Sequence, residues 1–241
     1  MSNPFNLIGI IQAIFRFVGI HSIKKNIYLL HGSAVIINNK AFFFGDDGKN
    51  IGKTIASIEC ALESNQYIAD EFCFLNMNTQ EIFSYPFVPI HFRPDVKKHF
   101  VEKHGTVFPK SHYKETEAGY FIEPSRLFNI ISSKKLEAFI FIHFYKKKGV
   151  QILNQKQSQR SIKICLVSHL LKLFYPHLDR MQLTKRKDTE KIVNYNSKML
   201  NNLLDKLSLK KTVDQIKKVF PCYRIHTDNP CNIIRIIKSI N

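Results

Sequence analysis

The chain has 241 residues, of which 44% are hydrophobic, and this length is sufficient for one domain with a core of its own. Its five cysteines stand apart at no spacing that binds a metal, so we expect reduced thiols and a cytoplasmic protein. The formal net charge is +17, nearly all of it in residues 101–241. Such charge suits nucleic acid, an acidic peptide or an anionic surface, but a composition rich in Lys, Asn and Ile explains it as well.

The first 22 residues predict an N-terminal docking helix. Ile8, Ile11, Phe15 and Val18 recur at helical spacing and would form its apolar face. The segment is too short and too often interrupted by polar residues to span a bilayer, and it lacks the basic start and the cleavage site of a signal peptide. We expect this helix to pack on the protein's own core, with attachment to a membrane surface as the alternative.

A β-hairpin is predicted next. Residues 27–37 are rich in strand-forming side chains, and residues 40–44 form a second apolar run. Asn38 and Asn39 lie between the two runs, and asparagine tolerates the positive φ that a tight hairpin turn requires. The two strands should therefore pair directly.

A glycine-rich loop follows the hairpin and has the features of a phosphate-binding loop. It ends in Gly-Lys-Thr and lies between a predicted strand and a predicted helix over residues 54–65. Backbone N–H groups of such a loop point at phosphate oxygens, its lysine reaches the β- and γ-phosphates, and its threonine hydroxyl binds Mg²⁺. Because six residues separate Gly45 from Gly52 and three separate Gly48 from Gly52, either Gly45 or Gly48 can open the loop. The candidate nucleotide-binding residues are Gly45, Gly48, Lys49, Asn50, Gly52, Lys53 and Thr54.

Two neighbouring acids, Asp70 and Glu71, lie on the next predicted strand, over residues 66–75. A kinase needs one carboxylate near the metal and another that takes the proton from the attacking hydroxyl. Neighbouring side chains of a regular strand point to opposite faces, so both acids can serve one site only at the end of the strand or at a bulge. Otherwise one acid lies in the site and the other is solvated.

His31 is a third candidate for the site. It lies on the predicted strand that pairs with the strand entering the loop, so its imidazole would be near the γ-phosphate and could orient a base. A purely structural histidine is the alternative.

The remaining segments complete a single α/β domain over residues 1–241, with a basic, helical region over residues 155–220. Residues 101–125 are expected to be irregular. Predicted strands cover residues 81–90, 136–144, 150–153 and 221–225, and predicted helices cover residues 161–176, 188–206, 212–219 and 229–240.

In this order, the motifs resemble the core of the HPr kinase/phosphorylase family and its short stand-alone relatives. That family has a nucleotide-binding fold in common with phosphoenolpyruvate carboxykinase, so the resemblance implies a P-loop-containing mixed sheet with flanking helices and helical additions in the C-terminal half. The resemblance covers residues 28–98, and it is carried by His31-Gly32-Ser-Ala-Val, the Asn-rich turn, the Gly-Lys-Thr loop, Tyr67-Ile-Ala-Asp70-Glu71, Tyr85-Pro86 and Arg93-Pro94-Asp95.

The resemblance implies an ATP- and Mg²⁺-dependent kinase that transfers phosphate to a hydroxyl, such as Ser or Thr of a peptide or small protein, or to a small molecule. By this resemblance Lys53 and Thr54 would hold phosphate and Mg²⁺, and Asp70 would transfer the proton. Glu71 would be the metal-side acid and His31 an active-site helper, while Arg93 is a candidate substrate-binding residue. An oligomer is compatible with this interpretation.

Two other functions are compatible with the same motifs. The basic second half favours a kinase whose acceptor is nucleic acid, such as RNA. The enlarged loop, with Asp46 and Asp47 beside the expected phosphates, favours a non-catalytic nucleotide-binding module instead.

Overall fold

The computed structural model has a mixed α/β fold in which helices flank a nine-stranded sheet. The residues that it describes are 4–45, 53–84, 89–92, 100, 113–116, 119–144, 149–178, 184–187, 192–229 and 232–240.

Seven α-helices lie within the described residues. They are α1 (Pro4–Ser22), α2 (Lys53–Ser64), α3 (Gln155–Val167), α4 (Leu171–Phe174), α5 (Ser197–Lys206), α6 (Lys210–Val219) and α7 (Ile233–Ile240). Short 3₁₀ turns cover Ile23–Lys25, Pro124–Arg126 and Ser168–Leu170. Among the helices of this part of the chain, none has both the length and the apolarity needed to cross a bilayer.

Fourteen strands lie within the same residues. They are β1 (Ile27–Ile37), β2 (Lys40–Gly45), β3 (Gln66–Ala69), β4 (Phe72–Asn76), β5 (Glu81–Phe83), β6 (Ile90–Phe92), β7 (Tyr113–Thr116), β8 (Gly119–Ile122), β9 (Asn129–Ile130), β10 (Ser133–Phe144), β11 (Gly149–Ile152), β12 (Thr184–Lys187), β13 (Ile192–Tyr195) and β14 (Cys222–Thr227).

The main sheet is mixed, and its long strand β1 organises it. The strand order is β11-β14-β10-β5-β4-β1-β3-β9, and β2 pairs with both β1 and β10. Strands β2, β10 and β14 are parallel, whereas β1 is antiparallel to β2, β3 and β4. Strands β6, β8 and β7 form a separate three-stranded sheet, and β12 pairs with β13.

The predicted hairpin is confirmed. Strands β1 and β2 pair from Gly32 and Gly45 down to Ile37 and Lys40. Asn38 and Asn39 form the two-residue turn with φ of 50° and 64°, the left-handed conformation that asparagine accepts more readily than most residues.

Two hydrophobic cores cover the two faces of the main sheet. Alternation along β10 shows the division, since Phe139 packs in one core and Ile140 in the other. The first core adds buried side chains of α3, α5 and α6, such as Ile162, Leu203 and Ile216. The second adds those of α2 and α7. A smaller third cluster joins α1 to the sheet through Phe15, Leu29, Phe72 and Phe74.

The prediction of which residues form the buried face of the N-terminal helix is partly wrong. Phe15 is buried and Ile11 packs beside it, as expected. Val18, however, is 38% exposed, because Gly19 rather than Val18 faces the sheet, directly over Leu29.

Three predicted segments also differ from the structure. The helix predicted over 188–206 begins only at Ser197, after β13, because Ile192 and Val193 are β-branched and Asn196 caps the helix by accepting hydrogen bonds from the N–H groups of its first turn. The helix predicted over 161–176 begins earlier, at the Asn154 capping box, and ends at Val167. The segment expected to be irregular contains the hairpin of β7 and β8.

Candidate active site

The entry to the candidate phosphate loop lies at the edge of the sheet where the parallel strands end. Gly45 is the last residue of β2, and α2 begins at Lys53. Ligands of open α/β sheets bind at this edge, beyond the carboxyl ends of the strands. A side chain at Gly45 would place its Cβ 2.7 Å from Cys165 Sγ and 2.6 Å from the Phe141 ring, so packing alone requires glycine here. Of the predicted nucleotide-binding residues, Gly48, Lys49, Asn50 and Gly52 lie outside the described residues.

The two neighbouring acids form a turn that ends β3. The N–H of Phe72 donates to the Asp70 carbonyl at 2.9 Å, and Glu71 between them has a φ of 70°. This Asp70–Glu71 turn divides the strand that was predicted to run unbroken over 66–75. The two acids therefore lie at a strand end, one of the two placements that would let both serve one site. Positive φ in a glutamate costs of order 1 kcal/mol and is found where the surroundings impose it.

Gly32 supports the turn from the neighbouring strand. Its N–H donates to the Glu71 carbonyl at 3.0 Å. A Cβ on Gly32 would come within 2.4 Å of the Phe44 carbonyl oxygen and 2.3 Å of the Phe43 ring. The glycine after His31 is thus needed for close packing between β1 and β2, next to the site.

Asp70 is the acid that faces the start of α2. Thr54 Oγ1 donates to this carboxylate, at 3.2 Å from Oδ2 and 3.3 Å from Oδ1. Ser33 Oγ also donates a short hydrogen bond to Oδ1. The structure thus brings together the threonine of the predicted loop and the first acid of the predicted pair, 16 residues apart in sequence.

Burial raises the pKa of the Asp70 carboxyl above its ordinary value. Hydrogen bonds from Ser33, the backbone of Glu71 and Thr54, and the positive charge of Lys53, oppose the shift without cancelling it. A carboxylate whose proton affinity is raised in this way is suited to accept a proton during a reaction.

Glu71 turns toward α1 instead of toward Thr54. Its Oε2 accepts a hydrogen bond from Gln12 Nε2 at 3.1 Å. Arg16, one turn further along α1, donates to Gln12 Oε1 at 3.4 Å, and its guanidinium lies 5.7 Å from the centre of the Phe72 ring. Burial lowers the pKa of Arg16, and the negative charge of Glu71 partly restores it. The predicted metal-side role of Glu71 stays a prediction, since Asp70 is the carboxylate in contact with Thr54.

His31 lies near the same group of side chains. Burial holds the pKa of His31 well below its ordinary value, and the positive charges of Lys53 and Arg16 lower it further. The imidazole is therefore neutral at neutral pH, and within the described residues its buried Nδ1 has no hydrogen-bond partner. The positive charge of Lys53 lowers the pKa of both Asp70 and His31, so its ammonium group is within electrostatic reach of both predicted catalytic positions.

Sequence reasoning missed four side chains of this site. Ser33 was part of the His-Gly motif but has no distinctive signal of its own. Gln12 and Arg16 come from α1, and His169, whose ring centre lies 6.3 Å from that of His31, comes from the turn after α3. Burial holds the pKa of His169 well below its ordinary value, so this ring is also neutral. Gln12, Arg16 and His169 are far from the motifs in sequence, and only the fold brings them to this region. Arg93, the candidate substrate-binding residue, lies outside the described residues.

No protein-family model matches this chain, and no curated protein sequence matches it. Among solved structures, the chain is similar to the HPr(Ser) kinase/phosphatase from Coxiella burnetii, with a TM-score of 0.38 and 12% identity over 88% of this chain and 95% of that chain. Similarity this distant carries no argument about activity. The function proposed for the chain rests on the geometry of its own residues.

Proposed function

We propose that the protein is an ATP- and Mg²⁺-dependent kinase that phosphorylates a hydroxyl group, such as Ser or Thr of a peptide or small protein, or of a small molecule. One observation carries the proposal: the Thr54 hydroxyl lies 3.2 Å from the Asp70 carboxylate, at the first turn of the helix that follows β2 and the glycine-rich loop. In phosphate-loop enzymes the threonine hydroxyl at this position binds Mg²⁺, and a carboxylate beside it is placed to take a proton close to the γ-phosphate.

The residues at the start of α2 fit a triphosphate and its metal. The first N–H groups of a helix have no partner within the helix and carry partial positive charge, which attracts phosphate. Lys53 adds a full positive charge at the same end, and Thr54 offers an oxygen to the metal. ATP would supply the phosphoryl group, and Mg²⁺ would offset its developing negative charge.

Asp70 is assigned the proton transfer. Its raised pKa favours taking the proton that the acceptor hydroxyl loses when it forms its bond to phosphorus. Ser33 and Thr54 hold the carboxylate from two sides and so fix its direction. Neutral His31 beside Lys53 has no charge that would repel Mg²⁺, which is compatible with a helper role.

The first test is whether the purified protein uses ATP. We expect it to hydrolyse ATP or to transfer its γ-phosphate to a peptide pool, and we expect Lys53→Ala to lower this activity by about 100-fold or more because a charge at the phosphates is lost. Lys211→Ala, which removes an exposed lysine of α6, is the matched control and should leave the rate unchanged.

Other results would point to another function. Nucleotide binding with neither hydrolysis nor transfer would contradict the kinase and favour the non-catalytic nucleotide-binding module. Label transferred to RNA rather than to peptides, with RNA binding that falls steeply as salt is raised, would favour the nucleic-acid kinase.

A further inference from the structure

Helix α1 buries one side and leaves an apolar stripe on the other. Phe15 stacks on Phe72 and Phe74, with ring centres 5.7 and 5.8 Å apart, so the inner side of the helix is already occupied by the protein's own core. The outer face of α1 consists of Ile10, Ile14, Phe17 and Val18, all exposed, and Phe17 is 63% exposed. These four are half of the eight large hydrophobic side chains that are exposed among the described residues.

The spacing makes this face continuous. Positions 10, 14, 17 and 18 follow the i, i+4, i+7, i+8 pattern of one helical stripe. Isolated apolar side chains on a surface are ordinary, but a contiguous stripe on one helix indicates a binding surface.

Positive charge lies at one end of the outer face and no negative charge lies near it in sequence. Lys24 and Lys25 are exposed in the turn directly after α1. The helix contains no acidic residue, and the first acid of the whole chain is Asp46. An apolar helical face bordered by lysines is the combination that binds the surface of an anionic membrane.

We propose that the outer face of α1 docks on an anionic lipid surface, with Ile10, Ile14, Phe17 and Val18 inserted among the acyl chains and Lys24 and Lys25 at the phosphate level. The helix lies in the plane of the membrane and does not cross it, in agreement with its length and polarity. This proposal is independent of the proposed kinase activity.

Charge and area favour lipid over a second copy of the chain. Each copy has a net charge of +17, so two copies repel one another, whereas an anionic bilayer attracts each of them. Four partly exposed side chains also provide far less than the roughly 800 Å² that each partner buries in a stable protein interface.

Vesicle co-sedimentation tests the proposal directly. We expect the wild-type protein to sediment with vesicles of phosphatidylcholine and phosphatidylserine, and to bind pure phosphatidylcholine vesicles at least roughly tenfold more weakly. The double variant Ile14→Ser, Phe17→Ser should lower binding to the anionic vesicles by roughly tenfold or more. Ile152→Ser on β11 is the matched control, since Ile152 is 73% exposed and far from α1 in sequence, and it should bind like the wild type.

Two double variants separate the effect of the lysines next to α1 from the effect of the net charge of the protein. Lys24→Glu with Lys25→Glu should weaken binding to the anionic vesicles, whereas Lys211→Glu with Lys218→Glu on α6 should weaken it much less for the same change in net charge. Equal loss in both pairs would show that overall charge alone drives binding, and this result would overturn the docking surface.

Tryptophan fluorescence tests membrane docking with a variant that keeps an apolar side chain at position 17. The chain has no tryptophan, so Phe17→Trp introduces a single probe on the outer face. We expect its emission to shift to shorter wavelength with anionic vesicles, whereas Leu173→Trp, at another exposed apolar position, should not shift. No shift at position 17, no sedimentation of the wild type, or a dimer in light scattering that Ile14→Ser, Phe17→Ser abolishes, would each overturn the proposal.

Discussion

At the scale of single residues, Gly32 connects the packing of the sheet with the candidate active site. Any Cβ at this position would overlap the Phe44 carbonyl and the Phe43 ring. We expect Gly32→Ala to lower the free energy of unfolding by about 3 kcal/mol, because the backbone of β2 cannot move aside without breaking its pairing. Gly149→Ala is the control, since nothing lies within 4 Å of its added methyl group, and urea unfolding of both variants makes the comparison. A similar small effect for both would contradict this account of Gly32.

The buried Asp70 carboxyl predicts a specific dependence of stability on pH. Burial raises its pKa in the folded state above the ordinary value of 3.8, so the folded protein holds this proton more tightly than the unfolded chain does. The stability that this group contributes is present below pH 3.8 and is lost as the pH rises through the folded-state pKa. The Asp70→Asn variant has no ionisable group at this position, so it does not lose this stability as the pH rises.

Urea unfolding over a pH series measures this effect. We expect Asp70→Asn to gain stability relative to the wild type as the pH rises from acid to neutral. Asp205→Asn, at an exposed carboxylate of α5, is measured beside it as the matched control. A constant difference between Asp70→Asn and the wild type at all pH values would contradict the raised pKa.

At the scale of elements, α1 is attached to the candidate active site through its inner side. Gln12 donates to Glu71 in the Asp70–Glu71 turn, so the helix and the turn stabilise each other. We expect Gln12→Leu to cost about 1 kcal/mol and to increase hydrogen exchange of the backbone amides of α1 and the turn, with α6 unchanged. Gln215→Leu, at an exposed position of α6, is the control. Unchanged exchange in α1 would show that the hydrogen bond does not hold the helix.

Elements defined by neighbouring residues could be predicted from the sequence. The hairpin of β1 and β2 follows from two apolar runs around Asn38 and Asn39, and α2 follows from the glycine-rich loop before it. The helix predicted over 188–206 failed at its start because periodicity alone does not distinguish β-branched strand residues from a helical turn.

The candidate site could be predicted only in part, for a similar reason. Thr54 and Asp70 were chosen because each belongs to a local motif, and the structure brings the two side chains into contact. Their roles stay predictions. Gln12 and His169 reach the same region through long-range packing, which leaves no local pattern in the sequence. Ser33 belongs to the His-Gly motif, but nothing in that motif marks it as a hydrogen-bond partner of Asp70. From the sequence, Asp70 and Glu71 could serve one site either at the end of a strand or at a bulge. Only the structure shows that they form a turn at the end of β3.

At the scale of the whole molecule, two surfaces of different chemistry belong to one chain. The candidate site lies where β2 ends and α2 begins. Helix α1 borders this site with its inner side, while its outer face is apolar and exposed. Assignment of the fold to the P-loop-containing phosphoenolpyruvate carboxykinase class stays a prediction, as do the cytoplasmic location and the oligomeric state. The net charge of +17 suits the proposed docking of α1 on an anionic membrane and does not require nucleic acid as a partner.

The most direct test of the proposed kinase site is to compare phosphate transfer and ATP binding in Asp70→Asn. Transfer of labelled γ-phosphate to a peptide pool is measured beside the affinity for ATP with Mg²⁺, in the wild type, in Asp70→Asn and in the control Asp205→Asn. We predict that Asp70→Asn loses transfer by about 100-fold or more, while its affinity for ATP changes by less than about tenfold. Equal loss of transfer and of ATP binding, or unchanged transfer, would contradict the assignment of Asp70 as the proton acceptor.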